Sequence, residues 1–267
     1  IGAMQPSGIV TITTDFGHKG PFVAVMKGVI LDRFPAAKII DLAHDIPAQW
    51  PPEAGFWVSR SWRWFPRGTV HLAIVDPGVG TERDIIVVDC GGHVFMAPDN
   101  GLLAQLIDGN DEARVLRLDT NRLELPAPSA TFHGRDIFAP VAAGLAAGQY
   151  AIEDIATQTS EWTPGWIEEP EVSAGRVAGV VVTIDAFGNL ITNIDERLVA
   201  DFSEPVVDVA GHQVPMLRTY GMAQPGDYLA LINSFGVVEV ARAEGSAADG
   251  LGCARGAPVV IRDGYSL

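Results

Sequence analysis

The sequence predicts an α/β fold: an N-terminal layered α/β domain with a mostly parallel central sheet, followed by a smaller all-β C-terminal barrel. Three observations carry this. Strand-like and helix-like patterns alternate over residues 8–157, which implies helices layered on a mostly parallel sheet. Residues 69–75 are almost continuously apolar, as expected of a strand covered on both faces. From Gly175 onward only short, closely spaced strands with glycine turns are read, the pattern of a small barrel or sandwich.

Each element has its own reason. Residues 8–14 are rich in β-branched side chains and read as the first strand. Phe22, Val25, Met26, Val29 and Ile30 recur at helical spacing, Pro21 suits the helix start and Pro35 stops it. Residues 38–43 read as the next strand and 53–65, with several tryptophans, as a helix. Residues 84–89 and 93–97 form a hairpin about Gly91-Gly92. Residues 101–107 and 137–147 read as helices. The stretch 158–174 mixes tryptophan, proline and polar residues without a period and reads as a linker to a domain over 175–267. Strands are expected there at 177–184, 190–194, 206–209, 214–217, 228–232, 237–241 and 259–262.

Bulk properties narrow the function. A chain of 267 residues, 48% hydrophobic, can bury a substantial core. Its net charge of −15 argues against nucleic acid, since phosphate binding needs clustered lysine and arginine. No apolar run approaches the roughly 18 residues of a membrane span, and no basic-then-apolar leader is visible. Cys90 and Cys253 stand alone, without metal-ligand spacing, and fit buried thiols in a reducing cytoplasm.

The polar motifs fall where a site is expected. Asp76 and Arg83 lie in Val75-Asp-Pro-Gly-Val-Gly-Thr-Glu-Arg83, and His133 in Thr131-Phe-His-Gly-Arg-Asp136. An acid, a guanidinium and an imidazole, each beside glycine or proline, can bind and orient a water or hydroxide if folding brings them together; otherwise they form an ordinary ion-pair network. Thr13-Thr-Asp-Phe-Gly17 follows a strand, where ligands of open α/β sheets bind. Asp15 there either holds a vicinal diol such as a ribose or caps a turn. Gly78-Val-Gly80 lacks the following Gly-Lys-Ser/Thr of a phosphate loop, and no dinucleotide fingerprint is present. No His-x-x-x-His or Cys-x-x-Cys pattern supports a metal. In Asp185-Ala-Phe-Gly-Asn189, a carboxylate and an amide across a glycine suit an ammonium group, a tight hairpin, or both.

Taken in order, Thr13-Thr-Asp-Phe-Gly17, Lys27-Gly28, Asp41-Leu-Ala-His-Asp-Ile-Pro47, Val75-Asp-Pro-Gly-Val-Gly-Thr81 with Arg83, Ala97-Pro-Asp-Asn-Gly101, Phe132-His-Gly-Arg-Asp136 and Asp185-Ala-Phe-Gly-Asn189 resemble the S-adenosyl-L-methionine hydroxide adenosyltransferases, relatives of the fluorinase and chlorinase enzymes. The resemblance runs from about residue 8 to the C-terminus. It implies hydrolysis of S-adenosyl-L-methionine to adenosine and L-methionine without metal or cofactor, by a homotrimer whose sites lie between subunits. It also implies that Asp15 holds the ribose hydroxyls, that Trp50 packs near the sugar or adenine, and that Thr131 and Phe132 line the pocket. Asp185 and Asn189 would hold the methionine amino group, Ser234 its carboxylate, and backbone from Arg242 to Glu244 the adenine.

Three departures from the halogenating relatives stand out. They carry a tyrosine where Asp76 stands, and the fluorinase has a serine where Gly134 stands. The fluorinase pattern also has an arginine where Phe235 follows Ser234, so carboxylate binding here would rest on Ser234 and backbone amides. The combination of Asp76, Arg83 and His133 fits water rather than halide as the nucleophile. A halide-using adenosyl transferase and a non-catalytic sensor of S-adenosylmethionine or adenosine remain the alternatives at this point.

Overall fold

In the computed structural model the protein is described over residues 5–264, which divide into two compact units at the Trp166–Ile167 bond. The first unit opens with strand β1 (Ile9–Thr14), helix α1 (Phe22–Arg33) and strand β2 (Lys38–Ala43). Helix α2 (Pro51–Ser61) follows, with two prolines in its first turn, where a missing N–H costs nothing. Then come β3 (Val70–Ile74), β4 (Ile85–Cys90), β5 (His93–Pro98), α3 (Ala104–Asp108) and β6 (Arg114–Leu118). The unit ends with α4 (Ala139–Ala146), α5 (Ile152–Ile155) and β7 (Ala156–Gln158).

Its seven strands lie in the order β2-β1-β3-β5-β4-β6-β7. The β2-β1-β3-β5 half is parallel, and β4, β6 and β7 extend it antiparallel. Alternation along β3 splits the core between the two faces. Leu72 and Ile74 join Val10, Ile12, Met26 and Ile30 on the side of α1 and α4, whereas Ala73 and Val75 join Ala54, Val58 and Leu106 on the side of α2 and α3. Two covered faces give three layers and explain the nearly continuous apolar run of β3.

The second unit consists of β8 (Glu171–Ser173), β9 (Arg176–Ile184), β10 (Leu190–Asp195), β11 (Pro205–Val209), β12 (His212–Pro215), β13 (Tyr228–Ile232), β14 (Val237–Arg242), the short helix α6 (Ala247–Leu251) and β15 (Pro258–Asp263). The helix interrupts what the sequence suggests is an all-strand region. Strands β12-β11-β15-β9-β10-β14-β13 form one antiparallel sheet, with β8 added on β9. The sheet nearly closes, because the residues just past β12 meet β13: Leu217 N–H donates to the Ala230 carbonyl at 2.7 Å. Inside lie Val177, Val181, Leu190, Val207, Val240 and Ile261. Among the described residues no helix is long and apolar enough to cross a membrane.

Candidate active site

Parallel strands place loops from separate parts of the chain along one sheet edge. Thr14 of β1 pairs with Ile74 of β3, so Asp15 and Asp76 leave the C-terminal ends of neighbouring strands. The loop after β2 reaches the same place: Gln49 N–H donates to Asp15 Oδ2 at 2.9 Å. Gln49 has a φ of 60°, a left-handed conformation uncommon outside glycine, and it delivers Trp50 to the start of α2. Trp50 packs edge-to-face on Trp166 with ring centres 5.6 Å apart.

The segment carrying His133 is drawn in by packing and by a glycine. Phe132 meets Phe16 and Phe22 edge-to-face at 5.9 and 5.6 Å, which brings it beside the Asp15 loop. Gly80 has a φ of +78°, and a β-carbon there would collide with the Ala130 carbonyl. Only a glycine therefore lets the 76–83 turn approach the 129–133 segment so closely. That segment is also pinned from within: Asp136 accepts the Ser129 N–H at 2.8 Å, and Ser129 Oγ accepts the Phe132 N–H at 3.1 Å. Thr131 sits there exposed. Directly after His133 the backbone makes a π-helical turn over Gly134–Phe138 before α4, an irregularity often found at functional sites.

Asp76, Arg83 and His133 do converge. Arg83 Nε donates to both Asp76 oxygens, at 3.1 and 3.0 Å, and Nη2 binds Asp76 Oδ2 as well. Nη2 also donates to His133 Nδ1 at 2.9 Å. The side chains of Asp76 and Arg83 are only 6% and 12% exposed, so this is a largely buried ion pair. A guanidinium can only donate, so His133 Nδ1 must be the acceptor and the neutral ring carries its proton on Nε2. The electrostatics agree: burial and the adjacent Arg83 charge hold the His133 pKa below the ordinary value, against weaker opposing effects of Asp76, Asp136 and the Ser129 backbone. Of the five N–H groups of Arg83, Nε and both of Nη2 are committed to Asp76 and His133, leaving the Nη1 pair for a ligand.

Asp15 belongs to a braced loop. Asp41 takes Lys27 Nζ at 2.7 Å and His44 Nε2 at 2.9 Å, and His44 Nδ1 meets Thr14 Oγ1 at 2.8 Å. A carboxylate only accepts, so His44 Nε2 carries the proton of its bond to Asp41. The His44 carbonyl accepts the Gly17 N–H at 2.9 Å, closing the loop on its other side. Asn100 was not singled out by sequence reasoning, though it stands in one of the ordered motifs. Its Nδ2 donates to the Val75 carbonyl at 2.8 Å and fixes the residue before Asp76.

In the second unit, Asp185 Oδ1 accepts the N–H groups of Phe187 and Asn189, and Oδ2 accepts Asn189 Nδ2 at 2.9 Å. The motif is thus a self-bonded turn whose Oδ2 keeps an open lone pair. Ser234 sits exposed on the turn between β13 and β14. Along Arg242–Glu244, the Ala243 amide donates to the Asp227 carbonyl, the Ala243 carbonyl accepts the Gly226 N–H, and Glu244 has a φ of 55°. Sequence reasoning missed Glu239, which is 3% exposed among the apolar residues Val237–Ala241 of strand β14. A glutamate inside an apolar run was the signal available. Among the described residues no group of three or more His, Cys, Asp or Glu side chains is arranged to hold a metal ion.

Comparison with known proteins sets these features in a family. The SAM hydroxide adenosyltransferase N-terminal domain matches residues 10–156, and the corresponding C-terminal domain matches residues 179–260. A Thermus thermophilus protein named (R)-S-adenosyl-L-methionine hydrolase is 38% identical, covering 94% of this chain and 98% of its own. A fluorinase from Actinoplanes sp. is 27% identical over 88% of this chain and 90% of its own. A crystal structure of an uncharacterised conserved protein from Thermotoga maritima superposes with a TM-score of 0.88 at 33% identity, covering 95% of this chain and 99% of the other. With both of its domains matched in order over most of the sequence, the chain belongs to the SAM hydroxide adenosyltransferase family.

Proposed function

We propose that this protein hydrolyses S-adenosyl-L-methionine to adenosine and L-methionine, by in-line attack of water or hydroxide on the ribose 5′ carbon. The observation that carries this reading is the Asp76–Arg83–His133 contact, which leaves one face of a buried guanidinium available. The hydrolase name of a relative 38% identical over nearly the whole chain supports it.

The substrate is a sulfonium, so methionine departs as a neutral thioether and needs no general acid. The difficulty lies with the nucleophile, because bulk water has a pKa of about 15.7. Arg83, permanently charged and turned by Asp76 and His133, offers its Nη1 hydrogens to a water and favours its hydroxide form. The water proton goes to solvent, and hydroxide combines with the cationic substrate to give two neutral-charge-balanced products, adenosine and zwitterionic methionine. His133 takes a proton at Nδ1 only by giving up the Arg83 N–H, so its role is to orient Arg83 and complete the water site. In-line positioning of held partners supplies a large share of the rate, up to about 7–11 kcal/mol of barrier. No metal or cofactor takes part in this scheme.

Asp15 holds the ribose diol, Trp50, Thr131 and Phe132 line the adenosyl pocket, and Glu244 contributes backbone to adenine. Asp185 and Asn189 receive the methionine amino group, and Ser234 its carboxylate. We place the complete site between subunits of a homotrimer. The test is incubation with S-adenosylmethionine in buffer containing chloride and fluoride, with products separated by chromatography. Adenosine and methionine in equal amounts are expected. A 5′-halogenated nucleoside, or no product above the blank, overturns the reading.

A further inference from the structure

A cleft in the first unit has no part in the scheme above. It lies between α1, the stretch at Pro126 and Ala127, and the start of α4, and its volume is about 470 Å³. Small-molecule sites fall in the range of about 300–1,000 Å³. Asp15, Asp76, Arg83 and His133 do not line it. Val25, Val29, Pro126 and Pro140 give it apolar walls. Gly28, from the Lys27-Gly28 motif, lines it too, and a β-carbon there would meet no atom within 4 Å. Glycine is the least favourable residue inside a helix after proline. No close packing against a described residue calls for it in α1, and its bare backbone leaves room in the cleft.

Four charged side chains complete the lining: Asp32, Arg33, Arg135 and Asp136. They are unevenly engaged. Arg135 Nε and Nη2 donate to Asp136 at 2.6 and 3.1 Å, and Asp136 Oδ2 also accepts the Ser129 N–H at 2.8 Å. Both Asp136 oxygens are therefore occupied, whereas Arg135 keeps its Nη1 hydrogens. The side chains of Asp32 and Arg33 form no hydrogen bond or ion pair with a described residue. They also stand at the C-terminal end of α1, where the helix dipole favours a cation. The four charges sum to zero, so a phosphate ion would lie beside two carboxylates without compensation. A zwitterion avoids that surplus. Its carboxylate matches the free hydrogens of Arg33 and Arg135, and its ammonium group matches Asp32 and the helix end.

We propose that this cleft is a second binding site, separate from the active site, for a free α-amino acid with an apolar side chain. Arg33 and Arg135 hold its carboxylate, Asp32 its ammonium group, and Val25, Val29, Pro126 and Pro140 its side chain. L-Methionine, released by the reaction proposed above, is one such molecule. Only this choice of probe rests on the hydrolase reading.

The test is calorimetric titration of L-methionine into protein whose active site is first saturated with S-adenosyl-L-homocysteine. Binding of one methionine per chain is expected. Arg33→Ala should weaken it about 10-fold or more, the scale of a lost charge-assisted hydrogen bond. The methionine analogue lacking the amino group should bind wild type more weakly by a similar factor. Gly28→Leu, which suits the helix and fills the cleft, should abolish binding while thermal stability and turnover hold. No binding to the saturated protein, or equal affinity in Arg33→Ala and Gly28→Leu, overturns the proposal. So does displacement of methionine by inorganic phosphate at equal concentration. A Gly28→Leu protein of altered oligomeric mass would show that a second copy of the chain covers the cleft, and would also overturn it. Methionine binding at Arg33 in protein that does not turn over S-adenosylmethionine would overturn the hydrolase reading and leave this one intact.

Discussion

Arg83 Nη2 donates one N–H to His133 Nδ1 at 2.9 Å and, together with Nε, grips Asp76. The arrangement fixes the protonation state of the imidazole and the orientation of the guanidinium together. It predicts that Arg83→Lys, which keeps the charge but loses the fork, lowers kcat about 10²–10³-fold, the scale of losing one preorganised electrostatic donor. Substrate affinity measured by calorimetry should change far less than kcat. A variant with full turnover would remove Arg83 from the chemistry.

The same contact has a pH signature. Burial and the Arg83 charge lower the His133 pKa, so the ring stays neutral, and keeps its Arg83 bond, to lower pH than an ordinary imidazole. Turnover carried by hydroxide should therefore climb as pH rises through neutrality, with any loss from His133 protonation confined to lower pH. An inflection at the ordinary histidine value of about 6.5 in the pH–kcat profile would contradict this.

Asp76 and Arg83 also matter to stability. Removing Asp76 leaves a guanidinium only 12% exposed without its partner, and truncations of this kind cost about 3–5 kcal/mol. Asp76→Ala should be destabilised on that scale in urea. The double variant Asp76→Ala/Arg83→Ala should be less destabilised than the sum of the two single variants. Strict additivity in the double-mutant cycle would show that the pair is not coupled.

A separate acid-sensitive point lies within the first unit. His71 is 2% exposed, bonded to Thr11 Oγ1 at 2.7 Å and His93 Nδ1 at 3.2 Å, and stacked on Phe95. Burial, with a smaller effect of His93, lowers its pKa to about 3. The unfolded chain therefore binds this proton first as pH falls below about 6.5, and the folded state loses stability progressively down to the folded pKa. At pH 5 the loss from this one group is about 2 kcal/mol relative to pH 7. His71→Phe should begin less stable, because Thr11 and His93 lose a partner, yet show a shallower decline between pH 7 and pH 5. An unchanged slope would locate the acid sensitivity elsewhere.

Assembly has its own test. If sites lie between subunits of a trimer, mixing Asp76→Ala and Asp185→Ala chains, each inactive alone, should restore activity in about a quarter of the sites after subunit exchange. No recovery in exchanged, mass-verified mixed trimers would place every site within one chain.

Much of this was legible in the sequence because local rules sufficed. Prolines bracketed α1, a β-branched run marked β1, a nearly continuous apolar run marked β3, and β13 matched its apolar run at both ends. Strand β7, three residues long, was not legible, since its pairing with β6 depends on a neighbour distant in sequence. Helix α6 hid in a stretch of alanine and glycine, where only the Ser246 cap, accepting the Asp249 N–H at 3.1 Å, announces it. The trio was recognisable as chemistry, but its contact was not, because it depends on a glycine-only approach between Gly80 and Ala130. The Glu239 cluster escaped for the same reason: Tyr220 and Asn233 reach it through barrel register, which no spacing in the chain reveals.

The central claim is that water supplies the oxygen that replaces sulfur at the 5′ carbon. Turnover of S-adenosylmethionine in oxygen-18 water, followed by mass spectrometry of the adenosine, tests it directly. The account predicts the label in every adenosine molecule formed, at the 5′ hydroxyl, with unlabelled methionine. Unlabelled adenosine, or label that appears in the methionine instead, would contradict it.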